Sequence, residues 1–381
     1  MRVIIFTSGR FHLLDLAREL DKLGVEVIFR SCVPTSRAAQ FELPERCCRP
    51  IRAGIPLQYI ITRSRREKIK CMAQWAQRRL LDRVGALGLP DTDVFIGISG
   101  MSGPTARKLR ARGTPQIWIE RGSRHILSQK AILEEIGVVS GVKEDDIDRE
   151  LADYALADRV VVPSKHVVES FIEAGFQESK LFRNPYGTDI SMFPFRQSTP
   201  VGPPTVLMAG TWSRRKGCDI LLKAWEGLPE TRLIHVGARG DVPMPTDNPR
   251  FKTYGFVDQR SLGEIYSTAH VGVLASREEG LAVVQAQMLA TGLRLVCSDR
   301  TGGVDLGEAC NLIDRVTEVK NGNVEALKSA LHHALKVACA ETIGERNRVG
   351  SRLKGLSWGA YAKRYFEKLN NSKTETPEKA S

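Results

Sequence analysis

The sequence lacks the features that mark several large classes of protein. No stretch approaches the run of about 18 to 20 apolar residues that a bilayer-spanning helix needs. The opening MRVIIFTSGRFHLL carries no cleavable-signal pattern, so the protein is expected to stay in the cytoplasm where it is made. Eight cysteines (Cys32, Cys47, Cys48, Cys71, Cys218, Cys297, Cys310, Cys339) form no CxxC pair and no Cys/His ligand spacing, which argues against a zinc site and for reduced, partly buried thiols. Neither half opens with G-x-G-x-x-G, which sets aside a dinucleotide dehydrogenase. Zinc-finger spacing and RNP aromatics are missing too. The net charge of +12 is therefore read as drawing phosphorylated ligands or anionic lipid, with no nucleic acid as partner. No short internal repeat is found.

What is present is α/β rhythm. A chain of 381 residues exceeds the size at which one core keeps growing, and its 42% hydrophobic share is enough for two. Short apolar runs at 3–7, 25–30, 94–98, 116–120 and 159–162 alternate with amphipathic segments, the first of them at 13–23, as in βα units of a parallel sheet. The rhythm breaks over 184–204, where NPYGTDISMFPFRQSTPVGPP holds five prolines, and resumes with runs at 205–209, 232–236, 271–274 and 294–297. The expected layout is a Rossmann-like domain over 1–190, a linker over 191–204, a second such domain over 205–357, a helix over 358–371 returning toward the first domain, and a disordered tail over 372–381.

Three turns carry candidate chemistry. Ser8-Gly9-Arg10 follows the first strand and leads into a helix, where N–H groups favour anions and Gly9 admits a ligand to the main chain. Gly210 to Gly217 (GTWSRRKG) repeats the arrangement in the second half, with Arg214, Arg215 and Lys216 placed to neutralise a diphosphate; a solvated basic loop is the plain alternative. Ala275 to Gly292 (ASREEGLAVVQAQMLATG) follows a buried strand and opens a helix, so the N–H groups of Gly280, Leu281 and Ala282 should face the cleft. Glu279 would face it too, with a carboxylate able to accept from sugar hydroxyls.

The last segment resembles the E-G-F-x-x-x-x-x-E-A-M-A-x-G signature of the retaining, GT-B-fold glycosyltransferases of family 4 (group 1), with Glu279, Gly280, Ala290 and Gly292 in register. The loop at 210–217 is similar to that family's G-R-L-x-x-x-K-G motif at Gly210, Lys216 and Gly217. The resemblance implies two Rossmann-like doubly wound domains facing a central cleft. It implies that Lys216 and Arg215 hold the diphosphate of a nucleotide-sugar donor, that Gly280, Leu281 and Ala282 cradle phosphate and sugar, that Glu279 grips sugar hydroxyls and that Gln287 meets the ribose. His125, in the run ERGSRH at 120–125, takes the place of a cleft histidine near the transferred sugar, and His12 is an acceptor-side candidate. Gln287 replaces the second Glu of the signature and Thr211 its Arg, departures that bear on donor affinity and identity.

The implied reaction is displacement of a nucleoside diphosphate with retention, by front-face attack, without metal or other cofactor. Asp91-Thr92-Asp93 and Asp146-Ile147-Asp148 have the letters of a metal-binding D-x-D, but the first precedes a strand and the second falls in a helix. The acceptor is expected to be a saccharide or lipid-linked saccharide in polysaccharide or glycolipid assembly; a catalytically weakened sugar-nucleotide-binding scaffold is the alternative. The basic amphipathic segment from Arg63 to Arg83 would either pack its apolar stripe inward as an ordinary surface helix or dock peripherally on an anionic membrane.

Overall fold

The computed structural model describes residues 1–64, 66–114, 116–138 and 142–374. In the first half, β1 (Arg2–Phe6), β2 (Glu26–Ser31), β3 (Cys48–Pro50), β4 (Val94–Ile98), β5 (Gln116–Glu120), β6 (Arg159–Val162) and β7 (Leu181–Arg183) form one sheet in the order β3-β2-β1-β4-β5-β6-β7. In the second, β8 (Thr205–Ala209), β9 (Arg232–Val236), β10 (Phe251–Tyr254), β11 (Val271–Leu274), β12 (Arg294–Ser298) and β13 (Val316–Val319) form another in the order β10-β9-β8-β11-β12-β13. All ladders are parallel. The doubly wound α/β class read from the sequence is the one the chain adopts. The central strands are buried on both faces, as in RVIIF and TVLMA, and amphipathic helices cover them; the first, Phe11–Lys22, turns Leu13, Leu14, Leu16, Ala17 and Leu20 inward.

Strand order reverses between β1 and β4 and again between β8 and β11. At each reversal neighbouring loops leave toward opposite faces and open a crevice at the carboxyl ends of the strands. Those ends meet across the domains: the Gly280 carbonyl accepts from Ser164 Oγ at 2.9 Å, and Asp305 accepts from the Lys165 N–H and from Arg183 Nη1, each at 2.8 Å.

The chain passes between domains twice, side by side, where the Thr188 N–H donates to the Leu356 carbonyl at 2.7 Å. The last helix, Trp358–Thr374, then lies on the first domain. Tyr361 donates to Glu120 Oε1 at 2.9 Å, the Tyr365 ring stands 5.4 Å from that of Trp118, and Arg364 holds Asn184 Oδ1 at 2.7 Å. This helix continues through 372–374, three residues into the stretch read as tail; the rest of that stretch, 375–381, lies outside the described residues. The linker is pinned to the second domain by Arg346, whose Nε and Nη2 donate to the Arg196 carbonyl at 3.0 and 2.8 Å. Arg346 in turn shares the buried Glu341 carboxylate with Arg315 and Arg294. The eight cysteines are free, and no helix among the described residues is long and apolar enough to cross a membrane.

Candidate active site

The loop after β8 is tied down from several sides. The Gly210 carbonyl meets His235 Nε2 at 2.9 Å, and the Trp212 N–H donates to the Ala238 carbonyl at 2.9 Å while its indole is fully buried. Gly217 takes a left-handed φ of 68° to start the helix Cys218–Glu226, and a Cβ there would run into the Ala275 carbonyl. The loops after β8 and β11 are thus pressed together. Arg277 laces them, with its N–H on the Arg215 carbonyl at 2.8 Å and its guanidinium bidentate on Asp219 at 2.6 and 2.7 Å.

This lacing brings two cations onto two adjacent carboxylates. Lys216 forms an ion pair with Glu279, and Arg215 Nε meets Glu278 Oε2 at 2.7 Å. Burial, aided by the Arg215 charge, pulls the Lys216 ammonium down to about 8. Glu278 is fully buried; burial alone would raise its carboxyl, but the Arg215 charge and the hydrogen bonds it accepts hold it below the ordinary range. Beyond the carboxylates the chain turns at Gly280, where a Cβ would strike the Gly122 carbonyl of the first domain. Among the described residues no group accepts a hydrogen bond from the Gly280, Leu281 or Ala282 N–H, three donors that open the helix Val283–Ala290.

Beside this turn lies a cavity of about 550 Å³ with walls from both domains: Arg10, His12 and Asp15 on one side, Val283 and Gln287 on the other, and Trp358 where the chain crosses back. Gln287 is 7% exposed and accepts weakly from Tyr266 at 3.5 Å. Asp93 accepts from the Arg2 N–H at 2.7 Å at the far end of the sheet, and Asp146 pairs with Arg78, so neither D-x-D reaches the cleft.

Residues 9–187 match the family model described as glycosyl transferase 4-like domain, and residues 203–336 the model described as glycosyl transferases group 1. The chain belongs to the group 1 glycosyltransferases of GT-B fold. It is 28% identical over 222 residues to a GDP-mannose-dependent alpha-mannosyltransferase of Mycobacterium tuberculosis, a match spanning 54% of each chain. In three dimensions it is similar to sucrose-phosphate synthase of Thermosynechococcus elongatus (TM-score 0.66, 19% identity, 99% of this chain and 100% of that one). HepE of Anabaena, solved with UDP and glucose, is similar too (TM-score 0.62, 13% identity, 97% and 100%).

In this glycosyltransferase the residues singled out by sequence fall into three groups. Gly210, Arg215, Lys216, Glu279, Gly280, Leu281 and Ala282 come together at the joined loops. His12 and Gln287 face each other across the cavity, and Gly9 precedes its Arg10 wall, a Cβ there standing 3.2 Å from Gln58 Nε2. His12 Nε2 stands 3.3 Å from Glu120 Oε2, with its ring 4.5 Å from that of Tyr186.

His125 stands apart. It is 4% exposed, its ring lies 5.3 Å from Tyr154 and 5.0 Å from Phe171, and it is not among the cavity-lining residues. Burial, with the Arg121 charge, pulls it down to about 4. The same ERGSRH run instead sends Ser123 to the cleft, onto Glu278. Sequence reading missed Glu278, Ser123, Gln129 and Glu120. The doubled acid at 278–279 was a visible signal, but the family register selected only Glu279.

Proposed function

We propose that this glycosyltransferase moves a sugar from a nucleotide-diphosphate donor to a saccharide or lipid-linked acceptor, with retention at the anomeric carbon and without metal. The observation that carries the reading is the meeting of Lys216 and Arg215 with the Glu279 carboxylate at a turn whose three N–H groups have no acceptor among the described residues. Cations and helix-start donors would stabilise the charge that grows on the leaving diphosphate, the task a divalent ion performs elsewhere. A bound diphosphate would draw Lys216 from Glu279, which is then free to accept from the sugar hydroxyls.

Glu278 is sealed and committed to Arg215, so it is no nucleophile. Retention would then follow the front-face route. The acceptor oxygen bonds to the anomeric carbon as the carbon–phosphate-oxygen bond breaks, its electron pair leaves with the diphosphate, and the acceptor proton passes to a phosphate oxygen. His12, backed by Glu120, would orient that acceptor in the cavity.

The acceptor side also favours a membrane-bound substrate. The helix Glu67–Val84 buries Ala73, Gln77 and Leu81 and packs Leu80 against the core, but turns Met72 (71% exposed), Trp75 (61%) and Ile69 outward, so the apolar stripe is split between core and solvent. Arg63, Arg66 and Lys68 are exposed beside them. Such a face fits peripheral docking on anionic lipid, in keeping with glycolipid or polysaccharide assembly.

The mannosyltransferase relative is named for GDP-mannose and the HepE structure holds UDP and glucose, so GDP-mannose and UDP-glucose head a donor panel. One donor should raise the melting temperature and slowly release nucleotide; Lys216→Ala should lose the stabilisation and Glu279→Ala the release. Product-anomer analysis by NMR tests retention, and a trapped glycosyl-enzyme adduct would overturn the front-face route. A binding-only role is the second reading, favoured by an amide at Gln287 where the family signature has a carboxylate; selective stabilisation without release would establish it.

A further inference from the structure

Glu278 joins the two domains through a single carboxylate. Oε2 accepts from Arg215 of the second domain, while Oε1 accepts from the Ser123 hydroxyl and from Gln129 Nε2 at 3.2 Å, both of the first. The bonds continue inward without a break. Gln129 Oε1 accepts from Arg121 Nη2 at 2.7 Å, Arg121 Nη1 donates to Glu150 Oε1 at 2.7 Å, and Tyr154 donates to Glu150 Oε2. A buried carboxylate is tolerable only when its oxygens are paired. Parting the domains would strip Ser123 and Gln129 from Oε1 and let water reach the Arg215 pair, which then holds its geometry weakly, as exposed ion pairs do.

We propose that Glu278 is a positioning residue that makes domain closure and the aiming of Arg215 one event: Ser123 and Gln129 of the first domain seal the carboxylate, and the sealed carboxylate fixes Arg215 toward the donor diphosphate. This rests on the reading that Arg215 and Lys216 hold that diphosphate. Three side chains of two domains are spent on one acid, far more than a surface contact between domains needs. Glu279, one residue on, is left to its lysine and the sugar.

The test is steady-state kinetics of Glu278→Gln and of the double variant Ser123→Ala/Gln129→Ala, with small-angle scattering of each with and without nucleoside diphosphate. The double variant leaves the Arg215–Glu278 pair in place and so answers even where Glu278→Gln fails to fold. Both should lower kcat by about 10- to 100-fold with less than about threefold change in donor KM, because the interaction lost is one realised in the transition state. Nucleotide should compact the wild type more than either variant. A kcat within about twofold of wild type in the double variant, with unaltered compaction, overturns the latch. Lys216→Ala separates the two readings. If it binds donor normally, the diphosphate assignment falls; if it loses donor while kcat ignores Ser123 and Gln129, only the latch falls.

Discussion

At the scale of single residues, placement decides which chemistry a side chain keeps. Lys216 is proposed to hold the donor diphosphate as a cation, yet burial and Arg215 bring it to about 8. Donor kcat/KM should therefore fall as pH rises through about 8 in the free enzyme, and Lys216→Arg should carry activity to higher pH, as a pH–rate profile would show. His125 has the opposite character. With its folded value near 4, below the ordinary 6.5, the native ring stays neutral while the unfolded one takes up a proton, so its share of stability is intact above about 6.5 and drains as pH falls toward 4. The slope is at most about 1.4 kcal/mol per pH unit. His125→Phe keeps the ring packing and removes a buried Nδ1 that lacks a partner, so urea unfolding should show stability held at pH 7 and a flatter loss between pH 6.5 and 4.5. Transferase activity should survive the change; its abolition would return His125 to the catalytic set.

At the scale of elements, legibility followed burial. β4, β5, β6, β8, β9 and β11 occupy the spans that periodicity assigns them, because interior strands of a parallel sheet are apolar on both faces and read as continuous runs. β3, β7, β10 and β13 escaped notice. Each is an edge strand of three or four residues, half exposed, so no apolar run announces it. The arginine cage is equally silent in sequence, since Arg294, Arg315, Glu341 and Arg346 are scattered over fifty residues and belong to separate elements. Burial pushes Glu341 up, but the bonds from Arg315 and the surrounding charges hold it ionised. Glu341→Gln should leave three guanidinium groups facing a neutral amide and cost about 3–5 kcal/mol in urea unfolding, with the linker at Arg196 loosened.

At the scale of the whole molecule, one feature is an exposed face of the first domain and the other the junction of the two domains. The hairpin of the helices Ile55–Arg63 and Glu67–Val84 exposes Tyr59, Met72 and Trp75, with Arg79 5.7 Å over the Trp75 ring, and is tied together by Gln77 donating to Gln58 at 2.9 Å. The protein should float with phosphatidylglycerol vesicles at low salt and not with neutral ones, and Trp75→Ala with Arg63→Glu and Arg66→Glu should release it. Flotation untouched by those changes would take this face out of the acceptor story. The other feature is the double crossing at Thr188 and Leu356, where a return helix makes the second domain's last segment part of the first domain's surface. Arg346 and Arg364 hold the chain on either side of this crossing, on the Arg196 carbonyl and on Asn184 Oδ1.

Sequence alone determined the alternation of buried strands and amphipathic helices, the break rich in proline and the loops after the first strand of each half, because hydrophobic period and glycine placement are local properties of the chain. It also singled out Lys216, Glu279 and Gly280, which neighbour one another in short motifs. Tertiary structure alone decided that His125 is enclosed by aromatic rings while Ser123 reaches across the cleft, that Glu278 is buried, and that Trp75 looks outward. Those outcomes depend on what stands opposite each side chain, and that neighbour is distant in sequence: Tyr154 and Phe171 enclose His125, Arg215 meets Glu278 across 63 positions, and Ser123 meets Glu278 across 155.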